Sequence, residues 1–267
     1  MTLTTVRRPP PDFRRAIVVG CASPTPRLRE VTIEGPELVG FEVTEPAASL
    51  RLLLPRPDGS GLEIPTWTGN EFLFGDGTRP PIRTLTPLAV DQHSGRITVA
   101  VVLHGRGLLA RWAEAQPVGD EVAISGPGAG YPIPAADRFL LAGDASAVPA
   151  LGQVLSALPA DATVDVVIEL PDGDDHPSIT HPGARLHWCV SNHDEPPGSA
   201  MVQAVTELDT PPGVRVWAAG EAASVQRLRK LLIGELGLPR SHCVIRGYWK
   251  HGRDGAGSSP PASVAGP

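Results

Sequence analysis

An arginine set among hydroxyls is the first place in this 267-residue chain where residue type and spacing suggest chemistry. The stretch is PPIRTLTPLAV, residues 80–90, with Arg83, Thr84 and Thr86 between prolines. A guanidinium offers a fork of donors and the hydroxyls add more, so the group suits a phosphate or a carboxylate. The same stretch also reads as an edge strand carrying one solvated charge. Two further places join an apolar run to a glycine and a carboxylate. One is LLAGDASAV, with Gly143, Asp144, Ala145 and Ser146; the other is VWAAGEAASV, with Gly220 and Glu221. Small residues after a strand let a ligand approach the backbone, and the start of the next helix offers free N–H groups to a phosphate. Plain N-capping by Asp144 and Glu221 is the other reading.

Several chemistries lack their residues. Cys21, Cys189 and Cys243 are far apart, with no CxxC and no zinc spacing, so they read as small buried apolar side chains. There is no Walker A lysine, no GxSxG elbow and no HExxH, and no metal site is expected. A net charge of -6 argues against non-specific nucleic-acid binding. No apolar run approaches the roughly 20 residues that span a bilayer, so no membrane insertion is expected. RRAIVVGCAS imitates an export signal, but its apolar core runs only from Ala16 to Val19, short of the ~7–15 residues such a core needs. It reads instead as a β-strand of a cytoplasmic protein.

The elements that must position these residues differ between the two halves. RLREVTIEG, SLRLLLPRPDGSG, GRITVAVVLHG and DEVAISGPGAGY are short strands closed by turns, with one helix at residues 107–115. That spacing predicts an antiparallel barrel or sandwich. From Asp137 strands and helices alternate. Val148, Leu151, Val154, Leu155 and Leu158 share one helical face, and Val225, Leu228, Leu231 and Leu232 another, with Gly237 placed as a C-cap. Alternation of this kind predicts a parallel sheet with crossover helices. The fold class is therefore two-domain: an antiparallel Greek-key β-barrel over residues 1–133, then an α/β parallel-sheet domain over 134–252. Residues 253–267, rich in Gly, Ser, Pro and Ala, read as a disordered tail.

In this context the motifs LHG, a Trp-containing helix, ISGPGAGY, LLAGDASAVPA, WAAGEA and GYWKHG resemble the siderophore-interacting proteins. These are flavin-containing ferric-siderophore reductases of the ferredoxin-reductase-like superfamily, and the resemblance covers residues 13 to about 252. It implies FAD on the barrel. Arg83 and Thr86 keep the family's Arg-x-Tyr-Thr-x-Arg segment, with Thr84 between them. Leu85 stands where a tyrosine would flank the flavin ring, and Leu88 where an arginine would meet the pyrophosphate. In the next segment His104, Gly105, Gly107, Trp112 and Ala113 match, whereas Leu108, Leu109 and Ala110 replace proline, alanine and serine. Arg111 stands beside Ala110, within reach of a phosphate or in solvent. Losing one charge-assisted hydrogen bond and one hydroxyl bond would weaken FAD binding by roughly two to three orders of magnitude if nothing replaced them.

By the same resemblance Gly143, Asp144, Ala145, Ser146, Gly220 and Glu221 border an NADPH or NADH pocket. Arg51, Arg246 and Lys250 face an anionic ferric siderophore, and Lys250 and Trp249 are candidates at the reacting end. The implied activity is FAD-dependent reduction of a ferric siderophore, with electrons from NAD(P)H or from a ferredoxin partner. Two alternatives stay open. One is a non-catalytic siderophore- or nucleotide-binding module; the other is a general flavin reductase.

Overall fold

The computed structural model describes residues 10–103, 107–171, 173 and 176–252. Contacts divide them into two units: the first runs to Gly130, and the second takes the chain from Tyr131 together with Glu45–Ala47.

The first unit is an antiparallel sheet of seven strands. They are β1 (Arg14–Thr25), β2 (Leu28–Glu34), β3 (Leu50–Leu53), β6 (Ile82–Leu85), β7 (Pro87–Asp91), β8 (Arg96–Val102) and β9 (Glu121–Ser125). A two-stranded ribbon, β4 (Thr66–Trp67) with β5 (Phe72–Leu73), lies in the long β3–β6 connection. The spatial order is β6-β3-β9-β1-β2-β8-β7. The two edge strands, β6 and β7, are consecutive in sequence and joined through Thr86 alone, so the sheet must curl until its edges meet. Alternating residues fill the inside of that curl: Ala16 and Val18, Val31 and Ile33, Leu50 and Leu52, Ile97 and Val99, Val122 and Ile124. An α-helix of this unit, α1 (Leu108–Glu114), lays Ala113 against it, with Leu108, Leu109 and Trp112 beside it.

The second unit is a five-stranded parallel sheet in the order β12-β11-β10-β13-β14. Its strands are β10 (Arg138–Asp144), β11 (Thr163–Leu170), β12 (Ala184–Val190), β13 (Arg215–Glu221) and β14 (Cys243–Trp249). Both faces are covered, which is why the strands read as unbroken apolar runs. On one face Leu141, Val166, Ile168 and Trp217 meet Leu151, Val154 and Leu155 of α2 (Val148–Ala157). On the other, Leu140, Ala142, Val167, Val216 and Ala218 meet Met201 and Val205 of α3 (Ser199–Glu207) and Val225 and Leu228 of α4 (Ala222–Arg229). The α4 pattern that reads as one long helix in fact passes into a π-helical turn, Lys230–Glu235, before Gly237 ends it at φ 69. Of the cysteines, Cys243 alone is buried; Cys21 and Cys189 are half-buried.

The expected fold class holds: an antiparallel curled sheet followed by a parallel α/β sheet. Among the described residues no helix is long and apolar enough to cross a membrane.

Candidate functional site

The first unit brings two sequence-predicted arginines onto neighbouring strands. In the β3–β6 ladder Arg51 faces Thr84 and Leu52 faces Arg83. Leu52 belongs to the core and Leu85 packs against it, so Arg83 shares the inner side of the curl while Arg51 and Thr84 share the outer side. Both guanidinium groups are half-buried, and burial alone pulls each below its ordinary pKa. Arg83 donates through Nη1 to the carbonyl of Ile82 at 2.8 Å. Among the described residues no carboxylate lies within ion-pair distance of either arginine. Arg56 shows what a satisfied arginine looks like in the same unit. It reaches Glu63 at 2.7 Å, Asp76 at 2.6 Å and Asp58 at 3.3 Å, and lies over the Phe74 ring. A half-buried cation without a carboxylate is costly unless an anion arrives from outside. Arg51 and Arg83 therefore have the chemistry of ligand-binding groups.

The other flavin-segment residues are distributed unevenly. Thr84 is exposed and Thr86 is buried at the β6–β7 corner. Leu88 is 37% exposed on the edge strand β7. At the start of α1, Gly107 takes φ 75, a conformation that favours glycine. Ala110 is 2% exposed, so its methyl group is buried. Leu109 and Trp112 pack on the core of this unit, and the Trp112 indole donates to Asp120 at 2.9 Å. Arg111 and Glu114 are the exposed residues of that helix. His104 and Gly105 lie outside the described residues.

In the second unit the chain leaves β10 for β11 and β12 on one side, then returns to β13 and β14 on the other. The carboxyl ends of β10 and β13 thus flank the topological switch point, where open parallel sheets bind ligands. Asp144 ends β10 and Glu221 ends β13. Both carboxylates are already engaged. Asp144 Oδ1 accepts from Ser146 N at 2.9 Å and Ser146 Oγ at 2.5 Å, while Oδ2 accepts from Glu221 N and Trp249 Nε1, each at 2.8 Å. Burial pushes the Asp144 carboxyl up from its ordinary pKa, and these donors pull it back only in part. Glu221 Oε2 caps α4 through Ala223 N and Ser224 N, and Oε1 accepts from His251 N at 3.1 Å. Gly220 is required where these strand ends touch. A Cβ there would stand 2.6 Å from Asp144 Oδ2, and φ is 156.

Sequence reasoning places Asp144 and Glu221 beside a nicotinamide nucleotide; in the structure their side chains look into the protein. The exposed surface at the switch point comes from their neighbours: half-buried Ala145 and Ser146, exposed Tyr248 and Trp249, and exposed Lys250. Glu169, at the end of β11, escaped sequence reasoning. Its buried carboxylate accepts from Gly198 N at 2.7 Å and Met201 N at 2.9 Å, holding the start of α3. An acidic residue near the end of the apolar run VVIEL was the available signal. Among the described residues no group of three or more His, Cys, Asp or Glu side chains is placed to hold a metal ion.

Residues 17–131 match the family model described as the siderophore-interacting FAD-binding domain, and residues 136–252 match the one described as siderophore-interacting protein. The ferric vibriobactin reductase ViuB of Vibrio cholerae is 29% identical over 85% of each chain. An uncharacterized protein of Mycobacterium tuberculosis is 38% identical over 66% of this chain and 67% of its own. The crystal structure of a siderophore utilization protein from T. fusca superposes with a TM-score of 0.81 at 29% identity, covering 93% of this chain and 97% of that one. With both halves matched in order, and with cations fit for an anionic ligand on the curled sheet, the chain belongs to the siderophore-interacting protein family.

Proposed function

We propose that the protein reduces a ferric siderophore to release ferrous iron, using FAD held on the curled sheet and electrons from NADPH or NADH. The observation that carries this reading is the pair of half-buried guanidinium groups, Arg51 and Arg83, with no carboxylate partner among the described residues. Arg83, on the strand that carries the flavin segment, would hold the anionic part of FAD, assisted by the N–H groups at the start of α1. FAD, when bound, accepts two electrons together and passes them on singly. Arg51, on the outer side of the neighbouring strand, would attract the siderophore, and Lys250 and Arg246 would do so from the end of β14. Anionic oxygen ligands hold Fe(III) far better than Fe(II), so one electron per iron frees the metal, and one NAD(P)H supplies two ferric complexes with release of one proton. The protein needs no iron ligands of its own for this.

A ferredoxin is the alternative electron donor, and we place the reaction in the cytoplasm, where reduced nucleotides and ferredoxins are available. The second reading is a siderophore-binding module that does no redox chemistry. Leu85, Leu88 and the buried Ala110 favour it, since each lacks the polar group that the family's flavin segments carry there. Anaerobic turnover separates the two. With protein, FAD, a ferric tris-catecholate and NADPH or NADH, a ferrous-specific chelator develops colour in proportion to protein. No colour with either nucleotide or with reduced ferredoxin, although the siderophore binds, supports the module instead.

A further inference from the structure

We propose that Asp144 and Glu221 are positioning residues that fix the siderophore-facing lysine, Lys250, by gripping the chain on both sides of it. This rests on the reading of Lys250 as a siderophore contact. Trp249 is the last residue of β14, opposite Glu221 after a register shift, and residues 250–251 lie beyond the strand's ladder. Trp249, the residue before Lys250, is tied through its indole Nε1 to Asp144 Oδ2 at 2.8 Å. His251, the residue after it, is tied through its backbone N–H to Glu221 Oε1 at 3.1 Å. The two carboxylates are themselves joined, because Asp144 Oδ2 also accepts the Glu221 N–H at 2.8 Å. They are 8% and 3% exposed, so the anchors are dry and rigid, while Lys250 between them is exposed.

The arrangement has a chemical logic. A lysine is a flexible point charge, and ordering it at the moment of binding costs entropy. Fixing its backbone from both sides removes part of that cost beforehand. Neither carboxylate reaches the siderophore; each acts through Lys250. The same two groups cap the helices that follow β10 and β13, so removing either one entirely would also disturb the sheet. Replacing Trp249 with phenylalanine is gentler, since it deletes the indole N–H and keeps an aromatic ring.

The test is a double-mutant cycle on binding rather than turnover. The probe is a ferric tris-catecholate, titrated against the full-length protein by calorimetry. Trp249→Phe is expected to weaken binding about fivefold and Lys250→Ala about tenfold, with the double variant no worse than Lys250→Ala by more than about twofold. Asp144→Asn, where it folds, follows Trp249→Phe. Hydrogen exchange over residues 247–251 is read in parallel and is expected to rise in Trp249→Phe. Additive losses in the cycle would overturn the proposal, because Trp249 would then act independently of Lys250. Unchanged exchange in Trp249→Phe would overturn the anchoring itself. A parent protein that fails to bind the probe, with exchange still raised in Trp249→Phe, would sink the siderophore reading of Lys250 while the anchor stands.

Discussion

Returning a cation to position 88 tests where the phosphates of FAD lie. Leu88 is 37% exposed and sits on β7, which pairs with β8 alone. A fully buried leucine contributes about 1.5–3 kcal/mol, and Leu88 buries only part of that surface. The methylene stem of an arginine would cover much of the same patch, so Leu88→Arg should change stability by less than about 1 kcal/mol. If the cofactor's pyrophosphate passes β7, the new guanidinium gains a charge-assisted hydrogen bond of about 1.5–3 kcal/mol, or roughly 10- to 150-fold in FAD affinity. Quenching of flavin fluorescence during titration of the flavin-free protein reads the dissociation constant directly. Leu88→Gln, similar in reach but neutral, should recover much less, and the arginine gain should shrink as salt rises. An arginine variant with the affinity of the glutamine variant, at low and high salt alike, would refute the placement of the phosphates beside β7.

Arg51→Ala should raise KM for an anionic ferric siderophore several-fold, and to a smaller degree for a neutral one, while the rate of flavin reduction stays near the parent's; steady-state and stopped-flow kinetics together check it. Glu169→Ala removes two hydrogen bonds to a buried carboxylate and orphans two N–H groups at the start of α3, so chemical denaturation should show a loss of about 3–5 kcal/mol, with Glu169→Gln losing about half. Equal stability in all three proteins would contradict that account. Tyr131, 5% exposed, has its phenol pushed up to about 12 by burial. The unfolded chain ionises near 10, so the stability tied to Tyr131 is intact below pH 10 and is lost as pH rises toward 12, by about 2–3 kcal/mol in all. Tyr131→Phe should abolish that part of the alkaline decline.

Much of the architecture was legible because the periodicities are strong. Val148, Leu151, Val154 and Leu155 announce a helix face, and runs such as VDVVIEL announce strands covered on both sides. What local pattern could not show is long-range. Asp144 and Trp249 are 105 residues apart, and nothing in LLAGD or GYWKHG says that one receives a hydrogen bond from the other. The Gly-Asp and Gly-Glu strand ends carried two readings, ligand contact and N-cap; in the fold both carboxylates act as caps. The π-helical turn after α4 leaves no mark in a pattern that fits an ordinary helix. The arginines illustrate the same limit. Arg51, Arg56 and Arg83 look alike in sequence, and only the packed chain shows that Arg56 has its carboxylates while the other two have none among the described residues.

The visible spectrum of the purified protein, recorded before and after anaerobic addition of NADPH or NADH, tests the central claim most directly. The account predicts a flavin absorption band, present as isolated or after reconstitution with FAD, that bleaches on adding the nucleotide and returns on adding a ferric siderophore. A colourless protein that cannot be reconstituted with FAD would contradict it.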